Sequence, residues 1–362
     1  GLFLTIYLMT ALDEIWLVIL ILAAVIVITI TVFISIKSVG LTKKRHNHLK
    51  IKKNKISDEF KEMYEYIVHT YAKELEENRK KLLKSLMICI ILFLITTSII
   101  ILIFDKLNIN LNKRSGWYIF LLYLPTIFYY THEYKKYNDT YRKNYKMKVI
   151  KNFVEHINPS LTYTPTGAKW LLDYYLDAKF DEESFNKFVT DDYIVGRNKD
   201  GSSIEISDIA LENVNEKGEF LKLFYAGIFS VSKINKDLPN EVRIKKNKNL
   251  FYGKSQNQVE MDSNEFEKYF DVFSDSNILS MELLTHDIMQ LIVEFYKNYK
   301  INFEIVLKEN NIYIRFDTGA MFEPNILKKS SDMRTLWIYY SVLKFVTSFT
   351  IKMNKVVNDA DI

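Results

Sequence analysis

Residues 85–104 (SLMICIILFLITTSIIILIF) run for twenty positions without a charge, and this limits what the chain can fold into more than any local motif does. At ~1.5 Å per residue such a helix is about 30 Å long, the thickness of a bilayer's hydrocarbon core. A polar stretch, Asp105–Gly116, separates it from a second apolar run, Trp117–Tyr130 (WYIFLLYLPTIFYY). The pair predicts a transmembrane hairpin, helical in both arms because lipid offers backbone groups no hydrogen bonds. The second arm is short and holds Pro125, so a re-entrant segment is the competing form. Trp117 and Tyr118 at one end, with Tyr129, Tyr130 and Tyr134 at the other, match interfacial aromatic belts and favour crossing.

A further uncharged run, Ile15–Ile36, is also long enough to span. Asp13 and Glu14 precede it where a secretory signal would carry basic residues, so it reads as an N-terminal span. The chain opens on Gly1, and a native start ahead of it is expected. Lys37, Lys43, Lys44, Arg45, Lys50, Lys52, Lys53 and Lys55 follow this run. Lys135, Lys136, Arg142, Lys143, Lys146 and Lys148 follow the hairpin, whereas its loop carries only Lys106, Lys113 and Arg114. The positive-inside rule then predicts three spans, an outside N-terminus, and a cytosolic location for Lys37–Lys84 and everything after His132. Lys43, Lys44, Arg45, Trp117, Tyr118, Lys135 and Lys136 are the expected membrane-interface residues.

Hydrophobic residues make up 48% of the chain and charged ones 26%, which suits an anchored protein with a substantial aqueous part better than a polytopic transporter. The net charge of +5 gathers near the apolar runs, a pattern of topology and lipid attraction rather than nucleic-acid binding. Cys89 is the single cysteine, so neither an intrachain disulfide nor a cysteine-based metal site can form, which fits a reducing cytosol.

Outside the apolar runs, Ser57 is a fitting N-cap, with Asp58 and Glu59 in the first turn after it. Phe60, Met63, Tyr64, Ile67, Tyr71 and Leu75 then recur at helical spacing. Tyr134, Tyr137, Tyr141, Tyr145, Val149, Phe153 and Ile157 form a second stripe that ends before Pro159, and the two stripes are expected to pack antiparallel. Further on, Ala168–Ala178 reads as a helix. Asp192–Arg197 and Ser203–Ile209 read as a hairpin through Asp200-Gly201. Phe220–Ile234 reads as a long aromatic strand, broken or closely approached at Gly227. A polar stretch runs on to Asn257, and Gln258–Met261 is a short strand. Glu265–Phe270 and Asp287–Asn298 read as helices, the second capped by Thr285. Ile301–Leu307 and Ile312–Asp317 read as a hairpin across Glu309-Asn310-Asn311, and Leu336–Met353 as a buried or docking helix, with a fourth membrane span, interrupted by Lys344, as the competing reading.

No reaction is legible. Gly253-Lys254-Ser255 lacks the earlier glycine of a phosphate loop, since Lys248 stands at that position. His46-x-His48 lies among cations that repel a metal. Asp181, Glu182 and Glu183 with Asp191 and Asp192 form a carboxylate cluster able to hold a divalent ion or a raised-pKa acid, and helix-start acids on a solvated turn explain it more simply. No catalytic residue, cofactor or metal site is assigned.

Several blocks carry a family likeness: Asp192–Gly196 with Ile204–Ser207, Tyr225–Phe229, Glu265–Ser274 and Leu283–Thr285. From about Tyr145 to Pro324 the chain resembles the bacterial domain-of-unknown-function family 3137, whose members are sometimes mislabelled galanin. His286 stands where that family usually has proline, and Ile15–Ile36 is an additional span. The resemblance implies a two-helix membrane hairpin and a cytosolic α+β domain, and brings no activity. Gly196, Gly201, Gly227, Phe229, Phe266, Phe270 and Leu284 are the expected structural residues of that domain.

The expected fold is therefore an α+β cytosolic domain on an α-helical anchor. Its parts are a span in 1–36, a basic loop and helix over 37–84, the hairpin 85–131, a stalk 132–158, the α+β domain 159–330 and a terminal helix 331–362. The expected role is a non-enzymatic sensor or scaffold at a bacterial plasma membrane. Its partners would be the bilayer, another protein and a second copy of itself, with no nucleic acid. A pore-forming effector, for example of a bacterial defence system, is the alternative. Pores usually keep intramembrane charge, and these runs have none.

Overall fold

The computed structural model describes residues 56–107, 115–180, 184–247, 257–329 and 332–360, with only the backbone of 104, 105, 107 and 115–120. Ile15–Ile36, Lys43, Lys44, Arg45, Asp181–Glu183 and Gly253-Lys254-Ser255 lie outside these residues. The elements run α1 (Asp58–Leu107), α2 (Ser115–Tyr129), a π-helical turn Tyr130–Tyr134, α3 (Lys135–Tyr145), a second π turn Lys146–Ile150, and α4 (Lys151–Ile157). Then come β1 (Leu161–Thr166), α5 (Leu171–Asp177), β2 (Lys187–Arg197), β3 (Ser203–Val214), β4 (Phe220–Lys246) and β5 (Gln258–Val259). The chain ends with α6 (Asn264–Glu267), β6 (Phe270–Ser274), α7 (Asn277–Leu283), α8 (His286–Tyr299), β7 (Phe303–Phe316) and α9 (Met333–Asp359). This is an α+β fold with a wholly antiparallel sheet.

Two compact units share the chain. The first holds Lys73–Lys143 and Pro324–Ser330 of the described region; the second holds the start of α1, Asn144–Glu323 and α9. In the first unit α1 and α2 pack against each other. Phe93 stacks on Tyr123 at 5.5 Å, and the Thr97 and Tyr123 hydroxyls lie 2.8 Å apart. Leu82, Cys89, Tyr134, Tyr141 and Ile326 make a small buried cluster below that pair. Higher numbers on α1 thus meet lower numbers on the returning helix, which is antiparallel packing.

Among the described residues one helix, α1, is long and apolar enough to cross a membrane, and only 11% of its most apolar window is buried. Met87, Leu94, Leu102 and, on α2, Phe128 are each more than half exposed. A core helix of a water-soluble protein would bury such residues, whereas a lipid-facing one leaves them outward.

In the second unit the sheet order is β1-β2-β3-β4-β6-β5, and β7 pairs along the other side of β4. Even-numbered β3 and β4 residues, Ile204, Ile206, Ile228, Ser230 and Ser232, are buried on one face. There Thr350 of α9 donates to Ser232 at 2.9 Å, and Phe295, Phe316 and Phe345 join rings 4.4–5.9 Å apart. Odd-numbered residues Phe229 and Val231 pack with Leu171, Tyr175 and Tyr313 on the other face, beneath α5. The start of α1 belongs to this unit as well. Ser57 accepts from the Phe60 amide, and Phe60, fully buried, meets Phe153, Trp337 and Tyr340.

Several sequence expectations change. The hairpin across Glu309-Asn310-Asn311 does not form: β7 is one strand that bends at Glu309 (φ 52°), because both halves find their partner in β4. The stretch after Ile234, read from the sequence only as polar, continues β4 to Lys246, with Val242 and Ile244 buried between β6 and β7. Tertiary pairing carries the strand through Pro239-Asn240, residues of a type that favours turns. Phe270 opens β6 rather than ending a helix, while Ser263 caps the short α6. Thr285 sits at the α8 N-cap but makes no side-chain cap bond. β1 and α7 had no counterpart in the sequence reading. Gly227 lies within an unbroken strand opposite Ile209.

Candidate functional site

The densest charge chemistry of the second unit is built on a π turn and a bulge. Lys146 opens the π turn, where the wider helical path leaves Tyr145, Lys146, Val149 and Ile150 all buried. Opposite, the β2–β3 register jumps between Asp191 and Tyr193, so Asp192 is the extra residue of a β-bulge and adopts φ 52°. Bulges re-aim side chains, and aspartate tolerates the left-handed region better than most residues. The Asp192 carboxylate is thereby fully buried.

The Lys146 ammonium lies 2.8 Å from Asp191 Oδ2, 2.8 Å from Asp192 Oδ2 and 2.9 Å from Glu323 Oε1. Three donors meet three acceptors. The Tyr163 hydroxyl donates to the second Asp192 oxygen. Asp191, Asp192 and Glu323 bring ligand oxygens within 4.8 Å of one another, a set able to hold a metal ion. The lysine ammonium occupies the centre of that set and serves as its cation. Asp208, on β3, is buried nearby and accepts from the Met321 amide at 2.9 Å through Oδ2. Its Oδ1 has no hydrogen-bond partner among the described residues.

Burial works against charge on Lys146, but Asp192 and Glu323 outweigh it and hold its pKa above the ordinary lysine value. Burial also pushes Asp192 up to about 7, with Lys146 opposing the shift and Asp191 adding to it. Asp208 is pushed well above the carboxylate range by burial first and the Asp192 charge second. With Asp208 neutral, one ammonium faces three carboxylates, and a proton on Asp192 reduces the excess negative charge.

A raised folded-state pKa gives stability that is present at low pH and lost as pH climbs through the folded value. The parent should therefore gain stability relative to Asp192→Asn by about 1.4 kcal/mol per pH unit as pH falls from roughly 7 to 4. Above pH 7 the difference should be flat. Paired denaturation curves across that range check this; a difference that never varies with pH would remove Asp192 as the titrating group.

The structure takes Asp191 and Asp192 from the carboxylate cluster seen in the sequence and joins them to groups far along the chain. Lys146, read as part of a basic flank, is a buried partner instead; its burial follows from the π turn, which has no sequence signature. Tyr163, Asp208 and Glu323 had no signal beyond their residue type. Lys135 and Lys136 are exposed on α3, and Trp117 and Tyr118 lie on α2. Gly196 lies in β2 opposite Leu161. Gly201 takes φ 86° in the β2–β3 turn, which its lack of a side chain permits. Phe229, Phe266, Phe270 and Leu284 are buried.

Fold and cluster together define a class: an antiparallel α+β domain with a long apolar helix on the same chain. The model of the family described as "Protein of unknown function (DUF3137)" matches residues 223–355, and over that stretch the chain resembles this family. Tyr225–Phe229, Glu265–Ser274 and Leu283–Thr285 fall inside the match, whereas Asp192–Gly196 and Ile204–Ser207 fall outside it. No curated protein matches. Among solved structures, the crystal structure of the mycobacterial trehalose monomycolate transport factor A aligns at 10% identity, covering 56% of this chain and 94% of that one. Its TM-score of 0.29 is too low to carry an argument.

Proposed function

We propose that this chain is a membrane-anchored, non-enzymatic scaffold whose α+β domain binds a protein partner at the cytosolic face of a bacterial plasma membrane. The observation that carries the anchor is the outward apolar face of α1, of which only 11% is buried in its most apolar window. The Lys/Arg asymmetry about the hairpin supports the cytosolic side. A non-catalytic role is supported by the way the Lys146 group satisfies itself: its donors meet carboxylates of the same cluster, and a lysine held above its usual pKa is a poor nucleophile.

Cysteine labelling on intact bacteria tests the topology. Lys199, exposed in the β2–β3 turn, is the suitable position, since neighbouring Asn198 is buried against Ser202. Lys199→Cys should resist an impermeant thiol reagent until the cells are opened, and Asn110→Cys in the hairpin loop should react at once. Labelling at position 199 from outside would overturn the orientation. Depolarisation of cells expressing the full chain would instead favour the pore-forming reading.

A further inference from the structure

In the first unit, the short segment following Glu323 is tied to α1 close to the start of its apolar run. Ile326 is buried with Leu82 and Tyr141, and its carbonyl accepts from Arg79 Nη1 at 2.9 Å. Arg79 is itself fixed by Glu76, with Nη2 donating at 2.7 Å and Nε at 2.8 Å. Asn325 shapes the turn: its side-chain oxygen accepts from the Leu327 amide at 2.9 Å, and its carbonyl from the Lys328 amide at 3.3 Å. The turn sends Ile326 inward and leaves Leu327 51% exposed.

Leu82 precedes Ser85, the first residue of the apolar run, by three positions, or about 4.5 Å along a helix. A segment docked at Arg79 and Leu82 therefore lies at the depth where lipid headgroups meet the hydrocarbon of the span. The charge at that level is strongly positive. Arg79, Lys80, Lys81, Lys84, Lys135, Lys136, Arg142, Lys328 and Lys329 stand against Glu76, Glu77, Glu133 and Asp139, and Glu76 is held by Arg79. An outward leucine next to two lysines is the composition that interfacial segments use, the apolar side chain entering the acyl boundary and the cations meeting anionic headgroups.

We propose that residues 324–329 form an interfacial strap that contacts the bilayer directly, with Leu327 inserted at headgroup depth and Lys328 and Lys329 engaging anionic phospholipid. This rests on the membrane reading above and adds a lipid contact from a segment far from the hairpin in sequence.

The test uses the full chain with Cys89→Ala, reconstituted into vesicles of phosphatidylcholine alone or mixed with phosphatidylglycerol. Nitroxide labels at Leu327→Cys, Ile99→Cys and Lys199→Cys report depth through their accessibility to oxygen and to a water-soluble nickel chelate. Ile99 should read as hydrocarbon, Lys199 as water, and Leu327 between them, deeper in the anionic mixture. Adding Lys328→Glu and Lys329→Glu should shift the Leu327 label toward the aqueous value in the anionic vesicles only. A Leu327 label as water-accessible as that at Lys199, with Ile99 still in hydrocarbon, overturns the strap and leaves the anchor standing. Equal depth in both lipid mixtures overturns the anionic preference. An aqueous reading at Ile99 overturns the anchor itself.

Discussion

Lys146→Met is expected to destabilise the α+β domain by about 3–5 kcal/mol, the range for removing one partner of a buried ion pair. The methionine fills a similar volume, so the loss is electrostatic. Asp192 is fully buried, and without the ammonium it must either keep a charge with no cation among the described groups that contact it or take up a proton. Asp191 is 43% exposed and can turn to water, so Asp192 and Glu323 carry most of the penalty. Asp192→Asn in the same chain should recover part of the loss. Added calcium should raise the melting point of Lys146→Met and leave the parent unmoved, because the variant vacates the centre of three converging carboxylates. Melting of the full chain in detergent reads both effects. A Lys146→Met curve that overlays the parent's would show the cluster to be energetically idle.

Gly227→Val is expected to cost upward of about 3 kcal/mol, at or beyond the usual range for overpacking. A Cβ at this position would lie 2.0 Å from the Phe316 carbonyl oxygen and 2.7 Å from the Tyr225 hydroxyl. Neither can retreat cheaply: Tyr225 donates to Phe316 O at 2.8 Å, and Phe316 is itself paired in the β4–β7 ladder. Because the clash is with the Cβ itself, Gly227→Ala should be damaging too, unlike alanine at a merely exposed strand glycine. The full chain is again the right material. A fragment starting at Lys143 would lose Phe60, whose ring packs on Phe153 and Trp337. Variants that melt with the parent would mean that the strand moves aside at little cost.

The elements legible in the sequence are those whose signal is local and periodic. Residues 85–104 announce a helix that needs no protein partner on its outer face, and Phe60, Met63 and Ile67 announce the face that packs inward. The β2–β3 hairpin follows from Asp200-Gly201, because few residues other than glycine accept φ 86° there. Gly227 signalled a close approach, though only the fold shows that the approaching backbone is that of Phe316.

The tertiary structure alone decided what depends on pairing across the chain. The stretch around Glu309-Asn310-Asn311 has the composition of a hairpin turn, yet β4 offers partners to both halves of β7, and a paired strand wins over a local reversal. β4 runs through Pro239-Asn240 for the same reason. The Lys146 cluster is the extreme case. It joins a π turn, a bulge and a loop separated by 45 to 177 positions (191 − 146 and 323 − 146). Each charge reads alone as a solvated surface residue, because burial and convergence are properties of packing that no spacing along the chain encodes.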